Sequence, residues 1–189
     1  MEKKVDGRVR YTKMVIRNSF VSLLKQKPIS KITIKEICEG ADINRATFYA
    51  HYTDQYDLLK QIENEILNDI NRYLNNFDYN NKASTHIEMI DNIIIYIAEN
   101  AELFDLFLNS KGDIEFQQEL INIIGNQHFS TLPGTKILSK EDMDFVFCFL
   151  ASGAVGVIKK WLESGMKKST KDLAELILKT AMFGQQSFG

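Results

Sequence analysis

The stretch TIKEICEGADINRATFYAHYTD, residues 33–54, contains two helix-start signals separated by one short helix. Thr33, with a glutamate three residues later, forms a capping box, in which each side chain binds the other residue's backbone N–H group. Asn44 is a favourable N-cap, because its side chain accepts hydrogen bonds from the free N–H groups of the next turn. Ile43 and Phe48 have the spacing of a hydrophobic staple, which directs Phe48 toward the core. The stretch therefore predicts two short helices joined by a tight turn.

Helical patterns continue on both sides of this stretch. The preceding segment places Ile16, Phe20, Leu23 and Leu24 on one helical face, and Pro28 ends it. Only 2 prolines and 10 glycines occur in 189 residues, so long helices are favoured. Besides the short helix that begins at Asn44, the predicted helices span about 10–26, 33–40, 54–77, 85–99, 101–109, 113–129, 140–164 and 169–183. Along the helix 54–77 the recurring residues are Tyr56, Leu58, Leu59, Ile62, Ile66 and Ile70. We expect an all-α protein, with an N-terminal three-helix helix-turn-helix domain and a C-terminal helical bundle.

Composition is that of a globular protein, with 44% hydrophobic and 25% charged residues. Cys38 and Cys148 lie far apart in apolar surroundings, so we expect two buried thiols and no disulfide. Residues 1–13 lack the apolar run of a signal peptide. The longest apolar or small stretch, residues 145–158, is too short for a spanning helix. A cytoplasmic protein without membrane contact is predicted.

Charge is distributed unevenly, although the net charge is −2. Residues 1–60 hold 12 Lys and Arg against 7 Asp and Glu, a balance of +5. Residues 61–189 hold 11 against 18, a balance of −7. A basic head on an acidic body favours a head that binds a polyanion, with chance clustering as the alternative.

Polar side chains remain on the second short helix once Phe48 is assigned to the core. The major groove of double-stranded DNA is wide enough to admit such a helix. Arg45 has the donors to pair with guanine or phosphate, Thr47 and Tyr49 have hydroxyls for phosphate oxygens, and His51 has a ring nitrogen. The helix start at Thr33 is a further place for a phosphate. The segment therefore predicts a DNA-recognition surface.

A structural explanation exists for each of these residues taken alone. Tyr49 and Tyr52 would be half-buried core aromatics, His51 a satisfied surface residue and Arg45 a solubilising charge. For any single residue this explanation is the better one. The ordered segment as a whole is better explained by DNA binding.

Residues from about 11 to 59 resemble the DNA-binding domain of TetR-family transcriptional regulators. The resemblance is carried by ITIKEICEGADINRATFYAHYTDQYDLL, and TFYAHY, residues 47–52, is its most specific part. The stretch ASGAVGVIKKWLESGMKKSTKDLAELIL, residues 151–178, resembles the C-terminal region of a TetR subgroup that includes regulators of the dihydroxyacetone-kinase type. Residues from about 78 to 140 show little that matches.

The resemblance implies seven DNA-contacting residues: Thr33, Lys35, Asn44, Arg45, Thr47, Tyr49 and His51. The sequence departs from the family pattern at two positions. Asp42 replaces a turn glycine, and aspartate tolerates the left-handed conformation better than most residues, so we expect the turn to form. Gln55 replaces a frequent phosphate-contacting lysine, which predicts weaker non-specific attraction to DNA.

The apolar stretch 145–158 is hydrophobic almost all round, so it must be covered on two sides. Ala151, Gly153, Ala154 and Gly156 allow close backbone approach. The last helix offers a second apolar face, formed by Leu173, Leu176, Ile177 and Met182. A central helix in a monomeric bundle is the alternative. The family resemblance favours a homodimer built as a four-helix bundle from the last two helices, which would read a palindrome.

Aromatic residues in the body are Tyr96, Phe104, Phe107, Phe116, Phe129, Phe145, Phe147 and Trp161. The resemblance allows a small-molecule effector of unknown identity among them, although core filling explains each one better. No cofactor is expected. His51, His86 and His128 have no metal-ligand spacing with the cysteines, and no catalytic motif is present, so we expect no enzyme.

The sequence thus predicts a DNA-binding domain over residues 1–55, a connecting helix from about 54 to 77, and a ligand-binding and dimerisation domain over 56–189. The predicted function is an effector-responsive, homodimeric TetR-like regulator, more consistent with a repressor than with an activator. One alternative is an adaptor or coactivator that acts through a protein partner without binding DNA. Another is a helical small-molecule carrier or enzyme.

Overall fold

A computed structural model describes residues 7–75, 86–109, 114–128 and 139–186. Each α-helix in these ranges lies where the sequence predicts a helix. The helices are α1 (Gly7–Leu24), α2 (Ile34–Ala41), α3 (Arg45–Tyr49), α4 (Gln55–Asn75), α5 (His86–Glu99), α6 (Ala101–Asn109), α7 (Ile114–His128), α8 (Lys140–Glu163) and α9 (Thr170–Gln186), with a single 3-10 turn at Ile29–Lys31. The described part of the chain holds no strand, which confirms the predicted all-α fold. The predicted helix ends at Phe77, Thr85, Asp113 and Phe129 lie outside the described residues.

Two compact units make up the chain, Met1–Ile66 and Leu67–Gly189. The division falls within α4, whose first part belongs to the first unit and whose last part belongs to the second. We refer to the units as the head and the body.

The core of the head joins α1, α2, α3 and the start of α4. Its largest fully buried side chains are Ile16, Phe20, Ile37, Phe48, Leu58 and Ile66. On α1, Val21 is buried, whereas Leu23 and Leu24, which the sequence pattern directs inward, are only half-buried. The buried residues on α1 thus follow Ile16 and Phe20 but not the predicted leucines.

The turn between α2 and α3 is closed by Asp42. This residue adopts the left-handed conformation, with φ 52° and ψ 47°, and its backbone N–H donates to the carbonyl oxygens of Cys38 and Glu39. A glycine is the usual solution at such a helix end, because it lacks the Cβ that makes this conformation costly. The expectation that aspartate supports the turn is confirmed.

The body packs α5 against α9, and α7 against α8. Phe104, Phe116 and Ile94 are fully buried, and Trp161 is buried with its indole N–H donating to the Lys168 carbonyl oxygen at 2.8 Å. On α4, the Asp69 carboxylate accepts a 2.9 Å hydrogen bond from the Tyr96 hydroxyl on α5. This bond ties the last turns of α4 to the bundle.

Helix α8 leaves part of its apolar surface uncovered. Phe145 is 70% exposed and Phe149 is 76% exposed. Cys148 is exposed as well, so the prediction of a buried thiol is wrong at this position, while Cys38 is buried as expected. The prediction fails because apolar neighbours in sequence lie on the uncovered side of the helix, where they bury nothing.

One helical segment in the described ranges, Glu141–Glu163, is long and apolar enough to cross a membrane on length and composition alone, with a mean hydropathy of 1.6. The apolar run 145–158 by itself is too short to cross a membrane, but helix α8, which contains it, extends further at both ends. The central helix of a soluble bundle meets the same criterion, since it too is apolar over most of its length.

Candidate nucleic-acid interface

The start of α2 is fixed by the predicted capping box. The Thr33 hydroxyl accepts from the Glu36 backbone N–H at 3.3 Å, and the Glu36 carboxylate accepts from the Thr33 N–H at 3.0 Å. That carboxylate also accepts from the Thr33 hydroxyl and pairs with the Lys27 ammonium. The Lys27 hydrogen bond, followed by those of Thr33, lowers the pKa of Glu36 from 4.5 to about 2. The side chains of Thr33 and Glu36 thus already have partners within the head.

The start of α3 is fixed in a related way. The side-chain oxygen of Asn44, Oδ1, accepts from the Thr47 backbone N–H at 2.8 Å and from the Thr47 hydroxyl at 3.0 Å. Helix α3 is short and ends at Tyr49, so His51 follows it in the turn toward α4. Asn44 itself is exposed.

Tyr49 and Tyr52 differ in burial despite their similar sequence context. Tyr49 is 57% exposed, whereas Tyr52 is 5% exposed and packs its ring 5.5 Å from that of Phe48. Burial, followed by nearby carboxylates, raises the pKa of Tyr52 to about 12. The core explanation therefore holds for Tyr52 and fails for Tyr49.

Two of the three basic predicted residues are exposed, and the third is half-buried. Arg45 is exposed at the first position of α3. Lys35 projects from the first turn of α2 with 65% of its side chain exposed, 3.7 Å from the Glu39 carboxylate. His51 is half-buried, with its ring 6.2 Å from that of Tyr52. The surface formed by Thr33, Lys35, Asn44, Arg45, Thr47, Tyr49 and His51 is called the α2–α3 face below.

Two further residues of the head were not singled out from the sequence as DNA-facing. Tyr56, in the first turn of α4, is 51% exposed, although its apolar spacing suggested an inward position. Lys13 on α1 holds its ammonium 5.8 Å above the Tyr52 ring and so lies beside the end of α3. Asp54 accepts from the Tyr56 N–H at 2.8 Å, which fixes Tyr56 in the first turn of α4.

Metal binding has no support in the described ranges, where no three His, Cys, Asp or Glu side chains group together.

Gln55, which replaces the frequent phosphate-contacting lysine of the family pattern, is half-buried at the first position of α4.

Comparison with known families gives two matches along the chain. Residues 21–62 match the family described as bacterial regulatory proteins, tetR family. Residues 84–182, just over half of the chain, match a transcriptional regulator C-terminal region of TetR type. The first match includes the whole α2–α3 face, and the second includes α5 to α8 and most of α9.

Individual relatives agree with these matches. Over 60 residues the chain is 38% identical to the uncharacterized HTH-type transcriptional regulator YxbF of Bacillus subtilis (strain 168); the match spans 31% of this chain and 16% of that relative. A TetR transcriptional regulator from Streptococcus agalactiae 2603V has 25% identity and a TM-score of 0.67, covering 93% of this chain and 96% of the other.

Two more distant structures share the fold. The dihydroxyacetone kinase operon activator DhaS has 20% identity and a TM-score of 0.62, over 94% of this chain and 97% of its own. NalD, the secondary repressor of the MexAB-OprM multidrug efflux pump in Pseudomonas aeruginosa, has 14% identity and a TM-score of 0.67, over 93% and 97%. Together with the two family matches, these likenesses confirm the resemblance on which the sequence prediction rests. The chain belongs to the TetR family of bacterial transcriptional regulators.

Proposed function

We propose that the α2–α3 face binds double-stranded DNA and that the chain acts as an effector-responsive repressor. The exposure of Arg45 and Tyr49 on the same short helix that buries Phe48 carries the proposal. A guanidinium and a phenol in this position have donors for base edges and phosphates, and the core gains nothing from them.

The seven residues divide into two roles within the proposal. The hydroxyl protons of Thr33 and Thr47 are already donated to Glu36 and Asn44. Their side chains, with that of Asn44, hold the two helix starts in place and contact the DNA at the surface. Lys35, Arg45, Tyr49 and His51 supply the donors that reach it: Lys35 to phosphate, Arg45 to guanine or phosphate, and the other two to the backbone.

A homodimer follows from the uncovered surface of α8. This surface carries Phe145 and Phe149 beside the small residues Ser152, Gly153 and Gly156, which are all exposed. We name it the α8 face. An added Cβ at either glycine meets no atom within 4 Å, so the glycines do not serve packing inside the chain. Burial of two phenylalanines per protomer favours association by several kcal/mol, at about 1.5–3 kcal/mol each.

Charge on α8 also suits a two-fold arrangement. Glu141 and Asp144 are exposed near its start, and Lys160 is exposed near its end, where it lies 3.6 Å from Glu163. In an antiparallel pair of α8 helices, the acidic start of one meets the basic end of the other. Leu176 on α9, 47% exposed, extends the apolar surface toward the second helix of the proposed four-helix bundle.

The regulatory mechanism combines these parts. Residues 1–55 bind DNA, residues 56–189 bind an effector and dimerise, and α4 connects them. Two heads about one DNA turn apart bind a palindromic operator. An effector that prefers another separation of the heads releases DNA, because the loss of a few phosphate contacts sharply lowers affinity. A cytoplasmic protein without membrane contact fits this role.

The test is fluorescence anisotropy with labelled duplexes enriched from random DNA and with the DNA upstream of the gene. The wild-type chain should bind a duplex saturably, and the double change Arg45→Ala/Tyr49→Ala should weaken specific binding at least about 100-fold, because both donors are lost in each protomer.

The matched control is Arg72→Ala/Tyr73→Ala, which removes the same residue types from exposed positions on the body end of α4. It should leave DNA affinity unchanged. If no duplex binds the wild-type chain at low salt, or if both double changes act alike, the proposed function is wrong.

A further inference from the structure

The body contains a cavity of about 240 Å³. It lies among helices α5, α8 and α9, with Leu74 of α4 and Ile124 of α7 at its sides. All of these residues belong to the body, so the cavity is a property of that unit alone.

The lining is almost entirely aliphatic. Of the 19 described residues that line the cavity, 17 are apolar or glycine, and the exceptions are His86 and Thr180. The Thr180 hydroxyl donates to the Leu176 carbonyl oxygen of its own helix at 2.8 Å. No described lining residue is Lys, Arg, Asp or Glu. A charged ligand group would lose its hydration here, which costs several kcal/mol, and among the described lining residues only His86 has a side chain that can carry a charge.

The aromatic residues of the body do not form this lining. Phe104, Phe107, Phe116 and Trp161 are buried in the core elsewhere, and Phe149 is the one aromatic among the described lining residues. These four of the aromatic residues named from the sequence therefore fill the core, and the empty space lies beside branched aliphatic side chains.

The volume sets the size of an occupant. A dry apolar cavity of about 150 Å³ holds benzene, so 240 Å³ scales to about ten non-hydrogen atoms. Sites for drug-sized ligands begin at about 300 Å³. A nucleotide or an acyl-coenzyme conjugate would extend beyond this space and carries charge as well.

The rim of the cavity coincides with the α8 face. Phe149 and Gly153 line the cavity and are exposed on α8, and Leu176 does the same on α9. A second copy of the chain seated on the α8 face would cover these residues and close the opening. Ligand and partner would then contact the same side chains.

We infer that this cavity binds one small, uncharged, apolar molecule of about ten non-hydrogen atoms, and that the second copy of the chain closes over it. Ligand binding and dimerisation are consequently linked: the ligand binds the dimer more tightly than the monomer and, by reciprocity, strengthens the dimer. The linkage rests on the proposed homodimer, whereas the ligand class rests on the cavity alone.

Three probes of similar size test the ligand class by titration calorimetry on the full chain. These are n-butylbenzene, 4-phenylbutan-1-ol and 4-phenylbutylamine, the last of which is cationic at neutral pH. The two neutral probes should bind, and the amine should bind about tenfold or more weakly than the alcohol, because the described lining residues include no carboxylate to pair with its positive charge. Equal affinities for alcohol and amine, or no binding of either neutral probe, would overturn the inference.

Cavity-filling variants locate the site. Ala154→Phe and Val157→Phe each add a large side chain to the lining, and either one, once shown folded by circular dichroism, should abolish binding of 4-phenylbutan-1-ol. Asn92→Phe, on an exposed position of α5 outside the lining, should leave it unchanged. Unchanged binding in a folded cavity variant contradicts the assignment.

Sedimentation over a dilution series tests the linkage. Saturating 4-phenylbutan-1-ol should lower the dimer dissociation constant about tenfold or more. Gly156→Arg places a charge on the α8 face without filling the cavity, and it should weaken both dimerisation and probe binding. Asn92→Arg should weaken neither. Probe binding that is indifferent to the monomer–dimer equilibrium overturns the linkage.

DNA affinity of the ligand-free chain is measured in the same preparation. Failure of the probes with intact DNA binding contradicts the cavity inference and leaves the proposed regulator in place. Absence of DNA binding contradicts the proposed function, while the probe titrations still decide the ligand class.

Discussion

Single residues at the two helix starts of the head have a structural role beside the binding role proposed for them. Thr33 and Asn44 both satisfy backbone N–H groups, and both belong to the α2–α3 face. Because the Thr33 hydroxyl is held by Glu36, and Glu36 by Lys27, the position of this side chain depends on an ionised carboxylate. The geometry of the α2 start and that of the proposed DNA surface therefore both depend on whether the Glu36 carboxylate is ionised.

Acid should loosen the start of α2. The pKa of Glu36 is about 2 in the folded chain and 4.5 ordinarily, so its stabilising contribution is fully present above about pH 4.5 and is lost as the pH falls toward 2. Glu36→Gln should remove this part of the pH dependence, while wild type loses stability over that range. Urea unfolding monitored between pH 2 and 7 measures the difference.

Glu39→Gln is the matched control, because it neutralises an exposed glutamate of the same helix that takes no part in the capping box. The gap in unfolding free energy between wild type and Glu36→Gln should narrow as the pH falls below 4.5. A gap that stays constant over the whole range would show that the carboxylate does not act as described.

At the scale of elements, α1 and α2 approach each other closely at one point. The Ser19 hydroxyl donates to the Ile37 carbonyl oxygen at 2.9 Å, although that carbonyl belongs to a helix. A Cβ added at Gly40 would lie 2.4 Å from the same hydroxyl oxygen. The contact fixes the relative position of the helix that supports the α2–α3 face.

Gly40→Ala should lower the free energy of unfolding by about 1–3 kcal/mol, because the new methyl group overlaps the Ser19 hydroxyl. In a Ser19→Ala background the same change should cost less, because the overlapping oxygen is gone. The preference of about 1 kcal/mol for alanine over glycine in a helix is then opposed by less overlap. Urea unfolding of the four chains gives the coupling. An identical effect of Gly40→Ala in both backgrounds would contradict the packing described.

Local rules predicted most of the elements, because caps, turns and helical periodicity act over a few residues. Thr33, Asn44, Asp54 and Ser139 each start a helix where the sequence indicated. The errors at Cys148, Tyr56 and Leu23 have a common cause. Whether an apolar position is covered depends on which helix packs against it, and sequence spacing along one helix does not contain that information.

The candidate face was predictable for a similar reason, and the cavity was not. Arg45 and Tyr49 stand out because the staple assigns Phe48 inward and leaves them outward. The cavity arises where aliphatic side chains of α5, α8 and α9 fail to meet. Such a mismatch between surfaces distant in sequence leaves no local pattern.

At the scale of the whole molecule, α4 begins in the head, which carries the α2–α3 face, and ends in the body, which contains the apolar cavity. Linkage between them needs a dimer, because two half-sites sense the separation of two heads. The α8 face supplies the proposed contact, and the cavity rim lies on it. In this account the effector, the second copy of the chain and the DNA all act on the same equilibrium, the one that sets the dimer and the separation of its two heads.

The most direct measurement is the salt dependence of operator binding for wild type and Lys35→Gln. Each phosphate contact contributes about 0.9 to the slope of log affinity against log salt concentration. In a homodimer one substitution removes two contacts, so Lys35→Gln should reduce the slope by about 1.8. The control Lys171→Gln, on an exposed lysine of α9, should leave it unaltered.

The size of the change separates the parts of the account. A reduction near 1.8 supports both the α2–α3 face and the dimer, since it requires Lys35 to meet phosphate in two copies at once. A slope that Lys35→Gln leaves unchanged contradicts the proposed face, and a reduction of about 0.9 contradicts the two-fold arrangement.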